Sequence, residues 1–131
     1  MKLRYYLLTA AYCAGIFWLS SLPDPVPIKY RPFGSDWAAH IVMFGGLALI
    51  ISLGIRRSGK PTPALAQFLI PLTFAILYGV SDEIHQSFVP QRTCALSDML
   101  ADAIGAFTIQ AYLCHYRWSL LTIPGLPRRP A

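Results

Sequence analysis

Residues 41–55 read IVMFGGLALIISLGI, a run without a single ionisable side chain. A stretch this apolar is either the core helix of a soluble domain or a membrane span, and its flanks and the rest of the chain choose between them. Ser35-Asp36 precedes it and Arg56-Arg57 follows it, so the whole segment covers about residues 36–56. At about 1.5 Å per residue that length crosses a hydrocarbon layer of about 30 Å. Working outward, residues 5–22 (YYLLTAAYCAGIFWLSSL), 64–81 and 103–114 are likewise free of acids and strong bases. The 131-residue chain is 55% hydrophobic and only 13% charged, with a mean hydropathy of +0.48. Soluble domains carry about 25% charged residues, enough to cover their surface, and disordered chains are poorer still in apolar residues. Composition therefore excludes both classes.

The prolines mark the boundaries. Of the eleven, only Pro71 falls inside an apolar run, where it removes one helical hydrogen bond and bends the span. The pattern predicts an all-α fold, an integral membrane bundle of four antiparallel transmembrane helices at about 4–22, 36–56, 64–87 and 98–117. Residues 1–118 then form one domain, and 119–131 a short basic cytoplasmic tail. A basic start (Lys2, Arg4) followed by an apolar run also describes a cleavable signal peptide. The length of the run and the bulky Tyr12 before Cys13 favour a retained helix.

Lys and Arg accumulate on the cytoplasmic side of a membrane. With four spans both termini share a side, which holds Lys2, Arg4, Arg56, Arg57, Lys60, Arg117, Arg128 and Arg129, against Lys29, Arg31 and Arg92 opposite. Both termini are thus expected in the cytoplasm, with the loops at 23–35 and 88–97 outside. The Pro23–Pro32 loop is a connector, or a stiff cover over the outer face. All six acids, Asp24, Asp36, Asp82, Glu83, Asp98 and Asp102, then fall at or near the outer face. The net charge of +5 is a topology signal, and no basic helix with interleaved aromatics suggests a nucleic-acid partner.

Several of these acids lie too deep to be simple loop residues. His40 sits one turn beyond Asp36. In the run Tyr78-Gly79-Val80-Ser81-Asp82-Glu83-Ile84-His85-Gln86, a rotation of about 100° per residue places Gly79, Asp82, Glu83 and Gln86 on one face and turns His85 away. Helix 4 carries Asp98, Asp102 and Gly105 as a stripe. Antiparallel packing brings the start of helix 2, the end of helix 3 and the start of helix 4 together. His40, Asp82, Glu83, Gln86, Asp98 and Asp102 thus become candidates for one polar pocket, with Arg92 above it. Ionisable groups in a span cost a few kcal/mol unless paired, so such a cluster is a functional candidate. The plainer readings remain open: Ser-Asp at a helix start also serves capping, a lone His40 also serves as an interhelical donor, and Gly45, Gly46, Gly79 and Gly105 serve close packing. The three cysteines, Cys13, Cys94 and Cys114, lie at different depths and suggest no disulfide.

The block Asp82-Glu83-Ile84-His85-Gln86-Ser87-Phe88, then Arg92, then Asp98-Met99-Leu100-Ala101-Asp102-Ala103-Ile104-Gly105 resembles the signature of the VanZ-like family of small bacterial membrane proteins. The upstream family element Asp-Lys-x-x-His is matched by Asp36 and His40, with Trp37 in place of the usual lysine. Lys29 or Arg31 could supply the missing cation. The resemblance, over about residues 5–115, implies a bacterial cytoplasmic membrane and a cell-envelope context, because the founding member is associated with resistance to the glycopeptide teicoplanin. It implies no defined reaction.

Three classes of function fit these residues. In an enzyme or enzyme-like site, Glu83 or Asp102 acts as the base and His40 as its partner, since paired carboxylates in a half-dry pocket divide acid and base roles. Asp36, Asp82, Gln86, Arg92 and Asp98 then hold a lipid-linked cell-wall precursor, a glycopeptide or a lipid head group. The same oxygens and imidazole suit a divalent cation. The second class is a small proton- or ion-coupled transporter, disfavoured because carriers tend to bind near the midplane. The third is a non-catalytic protein that binds a lipid or an envelope partner, favoured if Arg92 and His40 satisfy every acid.

Overall fold

The computed structural model describes residues 1–23 and 35–115, with Ser35 described in its backbone only. Asp24, the Pro-rich loop with Lys29 and Arg31, and the basic tail lie outside the described residues. The chain forms four helices, α1 (Leu3–Ser20), α2 (Ser35–Arg56), α3 (Ala64–Gln86) and α4 (Leu96–His115), and no strand is present among the described residues. Each apolar run became one helix. α1 stops at Ser20, short of Pro23, because Ser20 and Ser21 turn their hydroxyls back onto the carbonyls of Ile16 and Phe17. α4 starts earlier than expected, at Leu96, since the Ala95 carbonyl already accepts from the Asp98 and Met99 N–H groups. Ser97 is therefore inside the helix rather than its cap. α3 is continuous through the buried Pro71.

Two helices, at Asp36–Arg56 and Ala64–Gln86, are long and apolar enough to cross a membrane by length and composition. α1 and α4 are less apolar and do not meet the same measure.

Contacts between helices fix their directions. Tyr12 of α1 donates to the Met43 carbonyl of α2 (3.1 Å), while Arg57 at the far end of α2 reaches Tyr5 Oη (2.9 Å), so α1 and α2 are antiparallel. Tyr78 Oη donates to the Cys13 carbonyl and Ser20 Oγ to Asp82 Oδ1, so α1 and α3 are parallel. The pairs His40–Asp102 and Ser52–Gln110 make α2 and α4 parallel as well. An up-down-up-down bundle follows, in which α1 and α3 end where α2 and α4 begin.

The core is built on α2, whose Phe44, Leu47, Ala48, Ile51 and Ile55 meet Ile16 of α1, Ala75 of α3 and Ala106 of α4. Small residues let the backbones approach. A Cβ added at Gly105 would lie 2.8 Å from Ile41 Cα, and one at Gly45 would lie 3.2 Å from the Gly105 carbonyl oxygen. Gly46 faces the Tyr12 hydroxyl and Gly79 faces Asp102, so all four glycines serve as close-approach points. The outward faces of all four helices are apolar: Leu7 and Trp18, Val42, Leu77, and Ile104 and Phe107 are each more than half exposed. Polar residues, in contrast, lie inside: Ser20, His40, Ser52, Asp82, Glu83, Gln86, Asp102 and Gln110 are buried.

Candidate functional site

The site begins where α3 ends. Gly79, Asp82, Glu83 and Gln86 are all buried, as their shared helical face requires. The chain then turns through Ser87–Ala95, with Gln91 in the left-handed region (φ 67°). That turn returns Ala95 so that its N–H donates to Glu83 Oε2 at 2.9 Å, and α4 starts at the next residue. Asp98 and Asp102 are thereby placed beside Glu83 by the connection itself.

From α2, His40 completes the group. Its Nδ1 lies 2.8 Å from Asp102 Oδ1, in a buried hydrogen bond, and its Nε2 lies 3.9 Å from Asp98 Oδ2. The close α2–α4 crossing at Ile41 and Gly105 explains the first contact, since it sits next to His40 in the chain and one turn below Asp102. Gly79 explains the seat of the carboxylate. A Cβ there would lie 3.1 Å from both Cβ and Cγ of Asp102, so any larger residue would push the acid off α3. The His40 ring also stacks parallel to Phe44, with centroids 6.2 Å apart.

Satisfaction is uneven within the group. Glu83 Oε1 and Asp102 Oδ2 are buried without a hydrogen-bond partner, although both residues are almost fully enclosed (0% and 1% exposed). Such atoms are rare in folded proteins, because an unpaired buried polar group costs about 1–3 kcal/mol or more. One ligand atom from each of His40, Glu83 and Asp98 falls within 4.8 Å of the other two.

The structure brings four of the eight expected site residues together and gives others different partners. His40, Glu83, Asp98 and Asp102 meet between α2, α3 and α4. Asp82, one residue before Glu83, turns to α1, where Ser20 Oγ donates to its Oδ1 (2.6 Å) and Gln86 Nε2 to its Oδ2 (2.9 Å). Arg92 ties the α3–α4 connection to the end of α1, its Nε donating to the Leu22 carbonyl at 3.2 Å. Asp36 is exposed on the first turn of α2, beside the half-exposed Trp37. His85 points away from the acids, as its helical angle demands, and stacks on Phe17 with centroids 4.3 Å apart.

Three buried polar residues escaped the sequence reading. Ser20 is one. The other two form a pair deeper in the bundle, where Gln110 Nε2 donates to Ser52 Oγ at 2.9 Å and Gln110 Oε1 has no partner. Gln110 lies on the same buried stripe of α4 as Asp102 and Ala106, and an amide on the inner face of an apolar run was the available signal.

A family model described as VanZ/LLP1 matches residues 9–116. No curated protein and no solved structure matches the chain.

Proposed function

The chain belongs to the VanZ/LLP1 family, and on that premise we propose that it is a four-span protein of the bacterial cytoplasmic membrane whose His40–Glu83–Asp98–Asp102 pocket binds or modifies a lipid-linked cell-envelope substrate. Both termini are cytoplasmic and the pocket opens at the outer leaflet, with the basic residues at the opposite end as the topological warrant. The apolar outward faces of all four helices, α1 and α4 included, support lipid on every side of the bundle. A link to teicoplanin susceptibility follows from the family context.

One observation carries the functional reading: two carboxylates, Glu83 and Asp102, are enclosed beside an imidazole and each keeps one oxygen without a partner. A purely structural cluster would close its own hydrogen bonds, as Asp82 does with Ser20 and Gln86. In the proposed roles Glu83 or Asp102 is the base, His40 is its partner, and Asp98, the most accessible of the four, faces the substrate. Asp36 lies at the mouth. Asp82, Gln86 and Arg92 support the surrounding helices. A non-catalytic binding role is the weaker reading, since neither Arg92 nor His40 satisfies every acid.

The test compares wild type with Glu83→Gln and Asp102→Asn for teicoplanin susceptibility and for the pool of lipid-linked precursors, at matched protein abundance. Both variants are expected to lose the effect of the wild-type protein on the lipid pool. Wild-type behaviour in both would overturn the site assignment.

A further inference from the structure

We propose that His40, Glu83 and Asp98 form a divalent transition-metal site, of the kind that takes zinc, with Asp102 orienting the histidine from behind. The proposal rests on the pocket described above and states what it holds; with an ion bound, Glu83 is a ligand and Asp102, which keeps Oδ2 without a partner, is the carboxylate left for the base role. One donor atom from each of the three residues lies within 4.8 Å of the others, and His40 Nε2 is 3.9 Å from Asp98 Oδ2. Around a four-coordinate ion with bonds of about 2.0–2.2 Å, neighbouring donors are about 3.3–3.6 Å apart. The widest pair needs to close by at most about 1.2–1.5 Å to grip an ion of that size.

Three features separate this group from a chance gathering of acids. First, Glu83 is fully enclosed and its Oε1 has no partner, although its other oxygen is held by the Ala95 N–H. The Glu83 carboxylate supplies one of the three converging atoms, so the orphaned side chain is aimed into the group. Second, His40 Nε2 and Asp98 Oδ2 lie 3.9 Å apart, too far for a direct hydrogen bond yet close enough to share an ion. Third, the other face of the imidazole is already committed. An ionised Asp102, whose Oδ1 lies 2.8 Å from Nδ1, accepts Nδ1–H and so selects the tautomer that leaves the Nε2 lone pair on the side of Asp98. A carboxylate behind a histidine in this way is the usual support of a metal ligand and raises its basicity.

The donor set selects the ion. An imidazole nitrogen with two carboxylate oxygens favours zinc or a neighbouring transition metal over magnesium, which prefers oxygen and sheds water reluctantly. Three protein ligands leave a further position for water or a substrate oxygen, the arrangement of catalytic rather than structural sites. Asp98 is the most exposed of the three, which places that open position on the accessible side of the pocket.

The test uses the full chain, purified in detergent, treated with a chelator and titrated with zinc, with bound metal measured by mass spectrometry after gel filtration. A background with Cys13, Cys94 and Cys114 replaced by serine removes thiolate ligands, and His85→Ala serves as the control histidine change. One zinc per chain is expected in the background and in His85→Ala. His40→Ala and Glu83→Gln are expected to lose it, and Asp102→Asn to bind at the same stoichiometry about 10–100-fold more weakly. No zinc above background in the parent chain, or unchanged binding in His40→Ala and Glu83→Gln, would overturn the site. Cobalt in the unmutated pocket gives a readout independent of variant folding: X-ray absorption should show one imidazole and otherwise oxygen, and a shell without imidazole would contradict the assignment. Failure of metal binding with retained dependence of the lipid pool on Glu83 would remove the metal alone. Intact metal binding with no effect of Glu83→Gln in cells would instead remove the envelope function.

Discussion

Replacing Gly105 by alanine should uncouple the pocket without touching any of its side chains. A Cβ at that position would lie 2.8 Å from Ile41 Cα and 2.9 Å from the Ile41 carbonyl carbon, and these are backbone atoms that cannot swing aside. Comfortable carbon–carbon contact needs about 3.5–4.0 Å, so α2 and α4 must separate locally by about 1 Å. His40 precedes Ile41 in the chain and moves with it. Its 2.8 Å contact with Asp102 Oδ1 then opens to about 3.8 Å, beyond hydrogen-bond reach. Overpacking of this kind costs about 1–3 kcal/mol, and the lost interhelical hydrogen bond adds about 1 kcal/mol more. Thermal unfolding in detergent, followed by helical circular dichroism, reads the stability. The lipid-pool assay reads the function, which should fall to the level of Asp102→Asn while the protein still folds. Gly45→Ala, which meets the Gly105 carbonyl oxygen at 3.2 Å and a movable Ile109 methylene at 3.3 Å, should be milder on both counts. Wild-type stability together with wild-type function in Gly105→Ala would refute the idea that the close crossing positions His40 against Asp102.

Other expectations follow from single contacts. In a chain whose Cys13 and Cys114 are serine, the exposed Cys94 should react with a membrane-impermeant maleimide in intact cells, through a permeabilised outer membrane where one is present; labelling only after lysis would place the pocket in the cytoplasm. Gln110→Leu combined with Ser52→Ala removes both members of the deep polar pair and the unpartnered Gln110 Oε1 together, so unfolding should shift by no more than about 1 kcal/mol and function should persist. Loss of function there would favour a conduction path through the bundle. Arg92→Ala removes the tie to the Leu22 carbonyl and should cost about 1 kcal/mol at most, measurable by unfolding, with the lipid pool unchanged.

Much of this arrangement was legible in the chain. Apolar runs and proline punctuation located all four helices, because a span must satisfy its backbone within itself and so tolerates few breaks. Antiparallel connectivity then brought the start of α2, the end of α3 and the start of α4 together, and with them His40, Glu83, Asp98 and Asp102. The division of the acids was not legible. Asp82 and Glu83 are neighbours about 100° apart on the helix, and the rotation of α3 sends one to Ser20 of α1 and the other to Ala95 and α4. Nothing in a helical wheel sets that rotation. It comes from side-chain volumes at the α1–α3 and α3–α4 contacts. Ser20 was invisible for a related reason, since serine is unremarked in a span until a carboxylate is found opposite it. The partner of Arg92 was not legible either, because a loop of a few residues directs a long side chain to either neighbour, and here the Leu22 carbonyl past the end of α1 took it.

Two buried acids of the same type, on facing helices, differ in how their oxygens are satisfied. Asp82 closes its hydrogen bonds with Ser20 and Gln86, whereas Asp102 holds His40 with one oxygen and leaves the other unpartnered. The most direct measurement is the lipid-linked precursor profile of cells producing wild type, Asp82→Asn or Asp102→Asn at equal abundance. Asp82→Asn is expected to give a wild-type profile, and Asp102→Asn the profile of cells lacking the protein. Equal profiles in both variants, or loss in Asp82→Asn alone, would contradict it.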